Sequence, residues 1–103
     1  MLKIKSEYPD IDKYKSLEDI YYYKKDTDII HNPYGAAVIC KSGYKAYWIE
    51  GKLHRLDGPA RIWENCNYKE EYWIYYEYLT KEQFEKHPER LKFVGKEYLI
   101  CLK

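Results

Sequence analysis

Residues 31–53 read HNPYGAAVICKSGYKAYWIEGKL, and residues 54–79 read HRLDGPARIWENCNYKEEYWIYYEYL. The two segments resemble each other, and their first residues, His31 and His54, lie 23 positions apart. Further matching pairs are Gly35 with Gly58, Ala37 with Ala60, Ile39 with Ile62 and Trp48 with Trp73. A short internal repeat is typical of folds in which each unit packs on its neighbour.

Each unit predicts two short strands. AAVIC and ARIWE are β-rich runs that follow a glycine-containing bend, and YKAYWI and YKEEYWI mix aromatic with charged residues. Between them stand KSG, IEGK and ENCN, which have the composition of turns. We therefore expect residues 1–103 to form a single, mainly β (α+β) domain, an antiparallel meander of repeated hairpins. An earlier partial copy is IYYYKKDTDII, which precedes His31.

The pattern changes after the second unit. Thr80 is followed three residues later by Gln83, which is the spacing of a capping box. Leu79 and Phe84 occupy the two positions of a hydrophobic staple. These signals predict one short helix over residues 81–87.

Pro88 is expected to end that helix, because proline lacks the N–H that a helix interior requires. The tail RLKFVGKEYLICLK is predicted to be a final strand, or two half-strands broken at Gly95. At the other end of the chain, MLKIK is compatible with an edge strand.

The bend that opens the second unit has two interpretations. As chemistry, His54, Arg55 and Asp57 supply an acid, a cationic clamp and a base. As structure, Gly58 adopts a positive φ, Asp57 accepts N–H groups of its own turn, and Pro59 starts the next strand. His54 and Arg55 would then bind neighbouring carbonyl groups or carboxylates.

The first unit favours the structural interpretation. It keeps His31, Gly35 and Ala37 but has NPY where the second unit has RLD. A catalytic set would not need a degenerate copy upstream, whereas a repeated bend would. The sequence therefore predicts no enzyme.

Composition excludes several functional classes. The net charge is +1, from 18 basic and 17 acidic residues, and the sequence shows no basic excess or stripe. A nucleic-acid polymer is therefore not expected as a partner. The longest apolar run, AAVIC, is too short to span a membrane, and the N-terminus resembles no secretory signal. Cys40, Cys66 and Cys101 lack metal-ligand spacing, which predicts free thiols in a cytoplasmic protein without metal or cofactor.

Tyrosine is the unusual component, with 14 residues in 103. If residues 44–50 and 68–79 each form one continuous strand, alternation places Trp48 and Trp73 on one face. The helix is expected to cover that face. The opposite face would carry the predicted binding residues, which together with Arg55 are Tyr47, Tyr72, Tyr76 and Tyr78.

The segment YWIEGKLHRLDGPARIW resembles a repeat of the type Y-W-x-x-G-K-x-H-R-x-D-G-P-A. Such repeats occur in small proteins of large DNA viruses and bacteriophages. The resemblance covers residues 21–84 and is specific at residues 47–60. It implies MORN-like stacked hairpins, a viral origin, the host cytoplasm as location, and inhibition of a host or bacterial defence protein.

Three hypotheses for function stay open. The first is a non-enzymatic protein that binds a host or viral protein through its aromatic sheet face. The second is a small-ligand sponge that stacks a nucleotide base on Tyr or Trp and holds its phosphates with Arg55, Arg61 or Lys52. The third is a self-associating structural protein, because a single-layer sheet has open edges.

Overall fold

The computed structural model describes residues 1–65 and 67–101 of the chain, and it confirms a mainly antiparallel β fold with a helical C-terminal part. The strands are β1 (Leu2–Ile4), β2 (Ile11–Ser16), β3 (Asp19–Lys24), β4 (Val38–Ile39), β5 (Tyr44–Ala46), β6 (Trp48–Ile49), β7 (Lys52–Leu53), β8 (Arg61–Trp63), β9 (Lys69–Ile74) and β10 (Glu77–Leu79). The helices are α1 (Lys81–Lys86) and α2 (Pro88–Cys101).

Eight strands form one meandering sheet in the order β1-β2-β3-β4-β5-β8-β9-β10, with every pair antiparallel. The pair β6–β7 leaves this sheet as a separate hairpin. The departure occurs at Tyr47, which lies between β5 and β6. The hairpin of the first repeat therefore leaves the main sheet, whereas the hairpin β9–β10 of the second repeat stays in it.

The hairpins β6–β7 and β9–β10 each turn on two consecutive residues in the left-handed region. Glu50 and Gly51 have φ values of 50° and 76°, and Tyr75 and Tyr76 have φ values of 47° and 68°. Two consecutive positive φ values define the tight turn whose twist matches that of an antiparallel hairpin. The second turn is unusual because neither of its residues is Gly, Asn or Asp.

Successive hairpins are joined by matching hydrogen bonds. The N–H of Gly51 donates to the carbonyl of Ile30 at 2.9 Å, and the N–H of Tyr76 donates to that of Leu53 at 2.8 Å. The donors lie 25 positions apart and the acceptors 23, as in the alignment of the two sequences. Each hairpin tip is thus bonded to the preceding hairpin.

At the N-terminal end of this array, a side-chain oxygen accepts the turn N–H that a backbone carbonyl accepts in the later units. Asp26, 25 positions before Gly51, has a φ of 59° and donates its N–H to Asp12 Oδ2 at 2.8 Å. Asp12 is buried, and this hydrogen bond, together with nearby Lys3, holds the pKa of its carboxyl below the usual value. Asp12 therefore closes the first unit.

At the C-terminal end of the array, the capping box also supplies a side-chain acceptor for a backbone N–H that would otherwise bond to the next unit. The N–H of Asn32 donates to the carbonyl of Trp48 at 2.9 Å, and the N–H of Arg55 donates to that of Trp73 at 3.1 Å. Thr80 begins the third such segment, and its N–H donates to Gln83 Oε1 at 2.9 Å. The glutamine side chain thus takes the position of a carbonyl from a further unit.

Three small clusters form the core. They contain Ile11, Tyr22 and Ala37; Val38, Ala46 and Leu53; and Ile74, Leu79 and Phe84. Ala37, Ala46 and Ala60 have no exposed surface. Alanine at these positions allows the backbones of neighbouring units to pack closely.

The C-terminal part corrects one prediction. The capping box and the buried Leu79 and Phe84 confirm helix α1, but the predicted final strand is wrong, because residues 88–101 are helical. Helix α1 ends before Pro88 as predicted, and Pro88 also begins α2, since the first helical position needs no N–H donor. His87, with an extended backbone, accepts the Glu89 N–H on Nδ1 at 3.2 Å.

In the described chain, neither helix is long and apolar enough to cross a bilayer.

Candidate functional site

Arg55 organises the bend at residues 54–59. Its guanidinium lies 3.9 Å from the centre of the Tyr47 ring, which is a close cation–π contact. Nε donates to Asp57 Oδ1 at 2.7 Å, and a terminal nitrogen donates to the carbonyl of Pro59 at 3.1 Å. Asp57 therefore accepts from Arg55, which corrects the expectation that it binds N–H groups of its own turn.

Gly58 is also needed for a different reason from the one predicted. It does not lie at positive φ, since the positive-φ glycines of the described chain are Gly43 and Gly51. A Cβ at Gly58 would lie 3.2 Å from Arg55 Cζ, tighter than most such contacts. The glycine provides space for the guanidinium.

The first unit has an equivalent bend that uses another residue type. Asn32 stands where the second unit has Arg55, and its Nδ2 donates to the carbonyl of Ala36 at 2.9 Å. Ala36 corresponds to Pro59, the acceptor of Arg55. Both side chains therefore tie their bend to the start of the following strand.

His54 holds the turn of the next hairpin. Its Nδ1 accepts the N–H of Tyr75 at 3.0 Å, and its ring stacks on the Tyr75 ring at 4.1 Å between centroids. His31 accepts the Glu50 N–H at 2.9 Å in the same way. Burial lowers the pKa of His54, which favours the neutral ring that can accept this bond. The histidine thus binds a backbone N–H, not the carbonyl group or carboxylate expected from the sequence.

Tyr72 and Trp73 lie on the opposite faces from those predicted with respect to the helix. Tyr72 packs on Phe84 of α1 at 4.7 Å between ring centroids, on the side that also buries Ile74 and Leu79. Its hydroxyl donates to Glu70 at 2.9 Å, and burial raises its pKa to about 12. The helix therefore covers the Tyr72 face and not the tryptophan face.

The cause of this exchange is the turn at Tyr75 and Tyr76. Because the chain reverses there, residues after the turn pair with residues before it: Tyr78 with Trp73, and Leu79 with Tyr72. Directly paired residues share a face of the sheet. Continuous alternation through residue 79 therefore assigns every later side chain to the wrong side.

Four aromatic residues form an exposed group that we call the aromatic cluster: Trp48, Trp73, Tyr76 and Tyr78. Tyr76 lies 6.5 Å from Trp48 and 5.8 Å from Trp73 between ring centroids, and Trp73 lies 5.1 Å from Tyr78. Both tyrosines are 60% exposed, whereas the tryptophans are half-buried. Of the predicted binding residues, Tyr76 and Tyr78 meet here, while Tyr47 and Tyr72 lie elsewhere.

A second feature is a cleft of about 380 Å³ between the two bends, which we call the inter-bend cleft. It is lined by both bends and by residues of the hairpins and of α2. The lining rings are Tyr34, Tyr47, His54, Tyr75 and Phe93. Arg55 and Asp57 also line it, so two predicted binding residues, Tyr47 and Arg55, meet in this cleft.

The arginines proposed to hold phosphates are already engaged. Arg61 lies 3.3 Å from Glu71, and its Nε donates to the hydroxyl of Tyr44 at 3.0 Å. Arg55 faces Asp57, as described above. Lys52 is exposed on β7 and pairs with Ile49, which lines the cleft, but Lys52 itself is not one of the lining residues.

Within the described residues, no group of three His, Cys, Asp or Glu side chains is placed to hold a metal ion. Cys40 is a free thiol, and burial raises its pKa, so the uncharged form is favoured. Cys66 and the Cys101 side chain lie outside the described part of the chain.

Comparison of the chain with protein-family models, with curated proteins and with solved structures found no match. The aromatic cluster and the inter-bend cleft are the two candidate binding features described above.

Proposed function

We propose that this protein is a non-enzymatic binding module that engages another protein through the aromatic cluster. The observation that carries the proposal is the exposure of Tyr76 and Tyr78, each 60% exposed beside two half-buried tryptophans. Tyr and Trp are the side chains that most often anchor protein interfaces.

The cluster is held in place before any partner arrives. The Tyr76 N–H is bonded to Leu53, and the turn that carries Tyr76 is bonded to His54 through Tyr75. Trp73 Nε1 donates to Glu71 at 3.1 Å, which fixes the orientation of that indole. Such preorganisation reduces the entropy lost on binding and so favours affinity.

A host protein is the first partner to test, and a viral protein the second. This choice rests on the resemblance of residues 47–60 to repeats of viral and bacteriophage proteins. Inhibition of a host or bacterial defence protein in the host cytoplasm is the corresponding biological role that we propose.

The other two hypotheses receive less support. End-to-end stacking of copies would require a free backbone N–H at each end of the array. Asp12 and Gln83 already accept those N–H groups. A nucleotide sponge would require open cations, but Arg55 and Arg61 each face a carboxylate.

The test is quantitative capture from lysate of infected cells with three baits. These are the wild-type chain, the double variant Tyr76→Asn with Tyr78→Thr, and the matched control Tyr68→Thr. Tyr68 is 62% exposed but lies outside the cluster. Asn is chosen for position 76 because it tolerates the positive φ there.

We expect a protein that the wild type and the control capture equally and that the double variant loses. Binding of the purified pair should weaken by about 30-fold or more, as for a hot spot of about 2 kcal/mol. The melting temperature of the double variant should stay near that of the wild type. A double variant that retains the partner would refute the proposal, as would a control that loses it equally.

A further inference from the structure

Three tyrosines occupy equivalent positions along the array: Tyr22, Tyr47 and Tyr72, at a spacing of 25. The first two share a backbone bond to the alanine that follows the next bend. The N–H of Tyr22 donates to Ala37 at 2.8 Å, and the N–H of Tyr47 donates to Ala60 at 2.7 Å. The array thus presents the same aromatic side chain three times.

The chain itself covers the two outer tyrosines. Tyr22 is only 6% exposed, packs with Tyr8 in the first core cluster, and donates its hydroxyl to Glu7 at 2.8 Å. Tyr72 is covered by Phe84 of α1. An aromatic side chain from outside the repeat therefore packs near the equivalent tyrosine in both outer units.

The middle unit differs. Tyr47 is half-buried and carries the guanidinium of Arg55 on its ring, and the inter-bend cleft opens beside it. The volume of about 380 Å³ lies near the lower end of the range for small-ligand pockets. Rings of Tyr34 and Phe93 line the same space.

We propose that the inter-bend cleft binds an aromatic side chain of a partner peptide, in the way that the outer units bind Tyr8 and Phe84. Tyr8 supplies a second precedent, because it stacks on Tyr34 at 4.0 Å between ring centroids, and Tyr34 lines the cleft. The site shares no residue with the aromatic cluster, so it stands independently of the function proposed above.

Polar groups in the cleft match a peptide backbone. The hydrogen bonds of Arg55 within the described residues use two of its five N–H donors, which leaves donors for a peptide carbonyl. The Asp57 side chain is 57% exposed and can accept a peptide N–H. Because these two charges neutralise each other, the cleft favours an uncharged ligand over a phosphate.

The test is a titration of the ¹⁵N-labelled full chain, followed by NMR, with three probes. N-acetylphenylalanine amide carries the aromatic ring, and N-acetylalanine amide has the same backbone without it. Adenosine 5′-monophosphate represents the competing class of ligand. For the aromatic probe we expect a Kd on the order of 1 mM. The backbone resonances that shift should be those of Tyr34, Gly35, Arg55 and Asp57.

The alanine probe should bind at least tenfold more weakly, and the nucleotide no better than the alanine probe. Equal binding of the two amino-acid probes would overturn the proposal. So would shifts confined to Tyr76 and Tyr78, or tighter binding of the nucleotide than of the aromatic probe.

A variant that fills the cleft gives a second readout. Gly35 lines the cleft, and a Cβ there would meet no atom within 4 Å, so Gly35→Leu can add a side chain without a clash at its Cβ. This variant should weaken binding of the aromatic probe by about tenfold, whereas the control Tyr68→Leu should leave it unchanged. Undiminished binding by a folded Gly35→Leu variant would contradict the assignment. If that variant does not fold, the probe comparison on the wild type decides.

Discussion

Substitution of His54 tests the idea that the repeat histidine holds the turn of the next hairpin. The side chain makes two separable contacts with Tyr75, a hydrogen bond to its N–H at 3.0 Å and a ring stack at 4.1 Å. His54→Phe keeps a ring that can stack but removes the acceptor. His54→Asn keeps an acceptor near the position of Nδ1 but removes the ring.

The two variants have different expected costs. Loss of the hydrogen bond should lower the free energy of unfolding by about 1 kcal/mol in His54→Phe. Loss of the ring stack should cost about 0.5–1.5 kcal/mol in His54→Asn. For a domain of 103 residues, each kcal/mol corresponds to a fall in melting temperature of about 4–8 °C. His54→Ala loses both contacts and should be the least stable of the three.

Thermal unfolding followed by circular dichroism at neutral pH measures these differences. His31→Phe is a matched replicate, since His31 accepts the Glu50 N–H at 2.9 Å. A melting temperature within about 1 °C of the wild type in both phenylalanine variants would refute the role of the histidines as turn acceptors.

Acidification tests the same bond without mutation. The pKa of His54 is lowered in the folded state, so the unfolded chain binds the proton more readily. Stability that this residue contributes is therefore present above the unfolded pKa of about 6.5 and is lost as the pH falls below it. The wild type should lose stability between about pH 7 and pH 5, and His54→Phe should lose less over that interval. Equal losses would contradict this interpretation.

Two further predictions concern the turns and the cap. Gly51→Ala should lower stability by about 1–2 kcal/mol in chemical denaturation, because its φ is 76°, whereas Gly35→Ala should not. Gln83→Leu should cost about 1 kcal/mol through loss of the capping box, and Gln83→Glu should restore most of it, as measured by the same method. Equal stability of Gly51→Ala and Gly35→Ala would contradict the role of the positive φ. Equal stability of Gln83→Leu and Gln83→Glu would contradict the role of the capping box.

The repeat and the first helix could be predicted because their signals are local. His31 and His54 mark equivalent positions in two similar segments. Thr80 and Gln83 form a capping box that needs no information from the rest of the fold. Local chemistry of this kind is read from spacing alone.

The sequence does not predict the turn at Tyr75 and Tyr76, because neither residue is typical of a turn. A signal was nevertheless present, since the alignment that pairs Trp48 with Trp73 also pairs Glu50 and Gly51 with these tyrosines. Propensity favoured a continuous strand, but stacking on the preceding hairpin imposes the turn. The errors about the faces of Tyr72 and Tyr78 relative to Leu79 follow from this turn, whereas Tyr47 is separated from them because the chain leaves the main sheet there.

Two other errors depended on tertiary contacts. Proline at position 88 fits both the end of one helix and the start of the next, so it does not decide whether the following residues form a strand or a helix. The need for glycine at position 58 comes from the guanidinium of Arg55, which only the folded bend places beside it. The inter-bend cleft likewise involves Phe93 of α2, a segment predicted to be a strand.

The closure of both ends by Asp12 and Gln83 limits how this chain can grow during evolution. A unit added before Asp12 or after Gln83 would have to bond to the N–H of Asp26 or Thr80, each of which already donates to one of these side chains. A duplication within the array meets no such barrier, provided that the new copy carries a histidine for the turn that follows it. Longer members of such a lineage should therefore have lengthened from the inside, with the aspartate and the glutamine kept at the two ends.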